Sequence, residues 1–118
     1  MADMATAVVE RHDGLRVVRL AGEVDLSNAP RLERDISDVA SNDDAGLVLD
    51  LSETEYLDSA GIRMLFELAE RLRGRRQMLA LVVPPKSLIE HSLRVTEVDQ
   101  AMTMRETLGE AIEAIRTG

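Results

Sequence analysis

Residues 47–73 read LVLDLSETEYLDSAGIRMLFELAERLR, and their pattern decides the fold class. The opening LVLDL is a short apolar run, typical of a strand that is covered on at least one face. SETEY follows as a polar connection. Apolar side chains then recur at helical spacing, at Ile62, Leu65, Phe66, Ala69 and Leu72. The segment therefore predicts a buried strand, a loop and an amphipathic helix.

The junction DSAG (58–61) lies where the predicted helix begins, and two interpretations of it are open. In the simpler one, Asp58 or Ser59 is an N-cap that stabilises the helix by about 1 kcal/mol. In the other, Ser59 is presented for chemistry, because it stands beside two small residues on the first helical turn. A phosphate on Ser59 would face backbone N–H groups and the positive end of the helix dipole.

Upstream, residues 6–25 read TAVVERHDGLRVVRLAGEVD and predict a hairpin of two strands. Asp13-Gly14 between two valine-rich runs is a strong signal for a tight turn. Gly22 and Asp25 end the second strand. Ser27 or Asn28 then caps a helix that continues to about residue 41, with Pro30 in its first turn.

Downstream, residues 42–46 (NDDAG) predict a loop, and QMLALVV (77–83) predicts a second buried strand that ends at two prolines. A short helix (86–95), a short edge strand (99–104) and a closing helix (105–118) follow. Helices that alternate with strands after a hairpin indicate an α/β domain with a mixed sheet. In such a sheet the carboxyl ends of parallel strands are the usual functional edge, and DSAG lies at one.

Composition excludes several classes of partner. The net charge of −8 disfavours binding to the phosphate backbone of nucleic acids. Only one Tyr and one Phe are present, so the chain also lacks the aromatic side chains on which the bases of a single strand would stack. The absence of cysteine excludes disulfides and thiolate chemistry. No basic leader and no apolar stretch of about 20 residues is visible. We expect a cytoplasmic domain with no nucleic-acid or membrane partner.

A serine hydrolase is not supported by the surroundings of Ser59. The nucleophile of such an enzyme sits in G-x-S-x-G, whereas Leu57 stands at the first glycine position here. His12 beside the hairpin turn and His91 in the short helix are the two histidines, and nothing in the sequence places either near Ser59.

A response-regulator receiver domain fits the length and the alternation of elements. Asp50, the acidic pair Glu23 and Asp25, and Lys86 would supply its chemistry. A receiver, however, opens with strand, helix and strand, whereas this chain opens with a hairpin. The acidic residues at 42–44 and 53–55 lack the spacing of a calcium loop, so no metal site is expected.

With GEVD at 22–25 and the segment 47–73, the chain resembles the STAS-domain family, most closely its anti-sigma factor antagonists. The resemblance covers nearly the whole chain, and D-S-x-G at this distance after an apolar strand is its most specific part. It implies a single STAS domain over residues 1–118, in which an N-terminal β-hairpin leads into a mixed sheet and the helices pack mainly on one face. It implies a binding protein that is not an enzyme and has no cofactor.

The resemblance also implies partner switching. The unmodified protein binds an anti-sigma factor, often a serine protein kinase, and so frees the sigma factor. The kinase phosphorylates the serine of D-S-x-G, here Ser59; the phosphoprotein releases its partner until a phosphoserine phosphatase resets it. Ala60 stands where many members have a second hydroxyl residue, and Glu97 stands where a glycine is common before the last strand.

A partner face is predicted at one edge of the sheet. Besides the phosphorylation site Ser59, its expected members are Asp25, Ser27, Asn28, Asp58, Gly61, Ile62, Arg63 and Met64. Arg63 lies one turn after Ser59, and Met64 is expected to be exposed, away from the apolar stripe. We expect a monomer or a weak homodimer. The alternative function is a non-switching STAS subunit of a lipid-transport or sensor assembly, in which Ser59 is only part of the cap.

Overall fold

The computed structural model describes residues 4–40 and 44–118. Its elements are, in chain order, β1 (Ala5–His12), β2 (Leu15–Val24), α1 (Ala29–Val39), β3 (Gly46–Asp50), β4 (Thr54–Leu57), α2 (Ser59–Gly74), β5 (Met78–Val82), α3 (Leu88–Val95), α4 (Val98–Ala101), β6 (Thr103–Arg105) and α5 (Leu108–Thr117). Within the described part of the chain, no helix is long and apolar enough to cross a membrane.

The strands form one mixed sheet in the order β1-β2-β3-β5-β6. β1 and β2 are antiparallel, and the other pairs are parallel. The predicted hairpin is confirmed: His12 pairs with Leu15, and the turn residues Asp13 and Gly14 have φ values of 52° and 84°. Positive φ at both central positions is what a type I′ turn requires, and Asp-Gly tolerates it.

The sheet has a separate apolar cluster on each face, because successive side chains of a strand point to opposite sides. Val18 and Leu20 contribute to the larger cluster, which is completed by α1, α2, α3 and α4. Val17 and Val48 contribute to the smaller cluster, which α5 covers. Four helices on one face and one on the other confirm the predicted fold class.

Three local predictions need correction. SETEY is not only a connection, because β4 pairs with β2 beyond the end of β3, and the Thr54 hydroxyl donates a 2.6 Å hydrogen bond to the Leu20 carbonyl. The predicted edge strand at 99–104 is mostly the short helix α4, and only 103–105 form β6. The predicted loop at 42–46 lies partly outside the described residues, and β3 begins at Gly46.

Candidate functional site

Two loops meet at one edge of the sheet, after β2 and after β4. These strands are parallel neighbours, with Val24 opposite Leu57, so both chains leave the sheet on the same side. The backbone N–H of Asp58 donates to the Val24 carbonyl at 3.1 Å. Loop 25–28 and the start of α2 are therefore adjacent, at the carboxyl ends of the strands.

Asp58, rather than Ser59, caps α2. Its Oδ1 accepts hydrogen bonds from the N–H groups of Ala60 at 2.8 Å and Gly61 at 3.0 Å. Ser59 is the first helical residue and is exposed. The expectation that a phosphate would meet free helix amides needs correction, because Asp58 already holds two of them. A phosphate on Ser59 would instead lie beside a carboxylate.

Gly61 brings α2 close to the sheet. A Cβ at this position would approach the Leu57 side chain to 3.0 Å and a Val24 methyl group to 3.2 Å, which is tighter than ordinary packing. Gly61 is buried. Its function in this geometry is close packing beneath the exposed Ser59.

Loop 25–28 is held by its own side chains. Asp25 Oδ1 accepts hydrogen bonds from the backbone N–H of Ser27 at 2.9 Å and from its hydroxyl at 2.5 Å. These bonds from Ser27 lower the pKa of Asp25, since they favour the ionised form. Asn28 is buried, accepts from the Asp25 N–H and donates to the Glu23 carbonyl, both at 3.0 Å. Asn28 occupies the N-cap position of α1, but its side chain makes no cap hydrogen bond to the helix.

The predicted face divides by exposure. Ser27, Ser59 and Arg63 are exposed, Asp25 and Asp58 are half-buried, and Asn28, Gly61, Ile62 and Met64 are buried. These residues lie along one edge of the sheet and the first turns of α2. The four buried ones are not accessible to a partner and instead pack beneath the exposed residues of the face.

Met64 was predicted to be exposed, and this is wrong: only 2% of it is accessible. The helix α2 packs against the sheet and against α1 at the same time. Its buried arc is therefore wider than the stripe on the sheet side and includes Met64 and Leu68. Phe66, which the sequence placed in that stripe, is only partly buried.

A groove of about 420 Å³ runs between α1 and α2 and begins next to Ser59. Its walls are formed by Leu26, Ala29, Pro30, Glu33 and Arg34 on one side and by Ala60, Arg63, Met64, Glu67 and Arg71 on the other. Leu26 is 75% exposed at the open end. An isolated leucine within a polar loop is the one signal of this groove in the sequence, and we did not predict the groove.

Glu33 joins the two walls of the groove. It is buried, and its Oε2 lies 3.2 Å from an Arg71 guanidinium nitrogen, whereas its buried Oε1 has no hydrogen-bond partner. Desolvation raises the pKa of Glu33, and the nearby Glu67 carboxyl raises it further, against the opposing charges of Arg71 and Arg34.

The histidine of the serine hydrolase hypothesis and the aspartate of the receiver-domain hypothesis do not have the surroundings that those hypotheses require. His12 is the last residue of β1 and pairs with Leu15, and the length of β2 places this hairpin end about 30 Å from the end of β2 that adjoins Ser59. Asp50 is buried and accepts a hydrogen bond from the Ser52 N–H at 2.9 Å. Among residues 4–40 and 44–118, no three His, Cys, Asp or Glu side chains come together as metal ligands would.

Comparisons with known proteins identify the family. The family model described as STAS domain matches residues 6–111. The anti-sigma-F factor antagonist RsfB of Mycobacterium tuberculosis is 31% identical over 116 residues, which are 98% of this chain and 93% of RsfB. An anti-sigma factor antagonist from Mycobacterium paratuberculosis has a similar crystal structure, with a TM-score of 0.82, 33% identity and coverage of 95% and 94% of the two chains.

The fold is shared more widely. The anti-sigma factor antagonist SpoIIAA, solved in its unphosphorylated form, is 20% identical, with a TM-score of 0.67 over 94% of this chain and 98% of that one. At that identity the likeness concerns the fold alone. The chain described here belongs to the STAS-domain family.

Proposed function

We propose that this protein is an anti-sigma factor antagonist that binds an anti-sigma factor and thereby frees a sigma factor. Two relatives with at least 31% identity over nearly the whole chain are named as anti-sigma factor antagonists, which supports this proposal. Regulators of this kind act by binding, so we expect no catalytic activity of this chain and no cofactor. We expect it to act in the cytoplasm, as a monomer or weak homodimer.

We further propose that the binding is switched by phosphorylation of Ser59. The observation that most supports phosphorylation of Ser59 is that Asp58 and Ser59 have different roles at the start of α2. Asp58 holds the helix amides, while the neighbouring Ser59 is exposed on the first turn and is not needed as the cap. A kinase can therefore modify the hydroxyl without dismantling the helix start.

In the proposed reaction, the anti-sigma factor is itself a serine kinase and transfers the γ-phosphoryl group of ATP to Ser59 Oγ. The hydroxyl proton leaves and ADP is released. The modified side chain gains about 1.5 to 2 negative charges at neutral pH, beside the Asp58 carboxylate. At a packed interface, the bulk and unpaired charge of the phosphate should weaken binding of the anti-sigma factor by a few kcal/mol. Each 1.4 kcal/mol corresponds to a tenfold loss of affinity. A phosphatase restores the binding form.

Mass spectrometry tests this proposal. The protein is incubated with ATP and, one at a time, with each purified serine-kinase anti-sigma factor encoded in the same genome. We expect a shift of one phosphate with at least one kinase, located at Ser59 by fragmentation, and no shift in Ser59→Ala. If no kinase modifies Ser59, the protein is instead a non-switching STAS subunit.

A further inference from the structure

The groove between α1 and α2 combines an apolar floor with a basic rim. Leu26 is exposed at its open end, and Met64 lies beneath it with Ala29 and Ala60. Leu26 lines the groove together with these apolar residues, and a continuous apolar surface with a polar rim is typical of an interaction site.

The charges available in this groove are mostly positive, although the whole chain has a net charge of −8. Arg34 on α1 and Arg63 on α2 are both exposed and line the groove from opposite walls. Within the described residues, neither guanidinium lies within 4.0 Å of a carboxylate oxygen. Arg71, by contrast, is engaged by the buried Glu33.

The nearby carboxylates are mostly occupied. Asp58 holds the amides of α2, and Asp25 holds the hydroxyl and amide of Ser27. Glu33 is paired with Arg71 inside the groove. Glu67 is the remaining exposed carboxylate of the lining. A partner surface that approaches the groove therefore meets an apolar centre, the Glu67 carboxylate and two guanidinium groups that form no salt bridge, although Arg34 also acts electrostatically on Glu33.

We propose that this groove docks an acidic, apolar segment of the anti-sigma factor, with an apolar side chain packed over Leu26 and carboxylates paired with Arg34 and Arg63. This inference rests on the proposed function and adds the chemistry of the partner to it. Arginine suits such pairing, since its planar guanidinium matches a carboxylate in two parallel hydrogen bonds.

The position of the groove connects it to Ser59. Ala60 is part of its lining, and Arg63 lies one helical turn after Ser59 on the same face of α2. A phosphate on Ser59 would repel the carboxylates of an incoming acidic segment. It would also attract the Arg63 guanidinium that the segment needs. A basic partner would gain from the same phosphate, so release on phosphorylation favours an acidic one.

Calorimetric titration of unphosphorylated variants against the anti-sigma factor that binds the wild-type protein tests this inference. Leu26→Ser removes the apolar contact, and Arg34→Glu reverses one rim charge without touching the Ser59 end of α2. We expect each to weaken binding roughly tenfold or more. Both residues are exposed, so we expect both variants to fold, and circular dichroism checks this.

Two matched controls lie outside the groove. Val8→Ser removes an apolar side chain that is 51% exposed on β1, on the sheet face opposite α1 and α2, and Arg11→Glu reverses an exposed charge beside the hairpin turn. Both should bind within about twofold of wild type. If the controls lose as much affinity as the groove variants, or if the groove variants lose none, the groove is not the docking site, although the proposed function stands.

Two further outcomes would also overturn the inference. Stronger binding by Arg34→Glu would indicate a basic partner segment. A wild-type dimer in sedimentation equilibrium that Leu26→Ser dissociates would indicate that a second copy of this chain occupies the groove. Failure of the wild-type protein to bind any anti-sigma factor of the genome would reject the proposed function, and the groove proposal with it.

Discussion

Asp58 and Ser59 are neighbours in sequence but have separate structural roles at the start of α2. Asp58 Oδ1 accepts two helix N–H groups at 2.8 and 3.0 Å, while Ser59 is exposed as the first helical residue. The helix therefore begins without help from the serine. The stability of α2 and the chemistry proposed for Ser59 can be changed independently.

The first prediction follows from this separation. Asp58→Ala removes the cap and should lower the free energy of unfolding by about 1 to 2 kcal/mol, whereas Ser59→Ala should cost no more than about 1 kcal/mol. Urea unfolding followed by circular dichroism measures both. A larger loss in Ser59→Ala than in Asp58→Ala would mean that the serine is the main cap.

The second prediction concerns the pH dependence of stability. Because burial and the Glu67 carboxyl raise the pKa of Glu33 in the folded protein, the folded state holds a proton there more tightly than the unfolded chain does. The stability that Glu33 contributes is complete below its unfolded pKa near 4.5 and is lost as pH rises through the higher folded value. Glu33→Gln should therefore gain stability relative to wild type as pH rises from 4 to 7.

Thermal unfolding of both proteins across that range provides the measurement. Arg71 and Arg34 act to lower the Glu33 pKa. If Glu33→Gln instead loses stability relative to wild type as pH rises, the effect of the arginines on the Glu33 pKa is larger than that of burial and Glu67. A difference that does not change with pH would show that Glu33 titrates normally.

The third prediction distinguishes Met64 from Arg63. Met64 is 2% accessible, so Met64→Ala leaves a cavity and should cost about 2 to 5 kcal/mol of stability. Arg63→Ala changes an exposed residue and should alter stability by no more than about 0.5 kcal/mol. Guanidinium unfolding curves separate the two. A Met64→Ala protein as stable as Arg63→Ala would restore the original expectation that Met64 is exposed.

The fourth prediction concerns Glu97, which has a left-handed conformation with φ of 63°. A residue with a Cβ is strained there by about 1 to 2 kcal/mol, whereas glycine is not, although glycine loses more entropy on folding. Glu97→Gly should therefore be as stable as wild type or more stable by up to about 1 kcal/mol. Glu97→Ala keeps the strain and should gain nothing. Destabilisation by Glu97→Gly, measured in urea, would contradict this account of the turn.

Local signals predicted most of the fold. Asp13-Gly14 specifies its turn through its own backbone preferences, and Asp58 caps α2 within a single turn of chain. The glycine that the family resemblance implies at position 97 would suit the left-handed conformation that Glu97 adopts there. Features of this kind depend on few residues, so a sequence is enough to predict them.

The missed features depend on distant partners. In β4, Thr54 and Leu57 are buried, but the two residues between them are exposed. The segment therefore lacks the strict alternation of buried and exposed residues from which a strand is predicted. The strand exists because β2 extends past β3 and offers a free edge. Met64 is buried for a comparable reason, since α1 packs beside α2. The groove likewise requires knowledge of how the two helices lie together.

The most direct test of the account is calorimetric titration of four forms against the anti-sigma factor that phosphorylates the protein. These are the unmodified protein, Ser59→Ala, Ser59→Asp and protein phosphorylated at Ser59. We predict equal, tight binding by the unmodified protein and Ser59→Ala. The phosphorylated form should bind at least tenfold more weakly. Ser59→Asp should fall between, because it adds less charge and bulk than a phosphate. Equal affinities for all of these forms would contradict the switch and reduce Ser59 to a residue of the helix start.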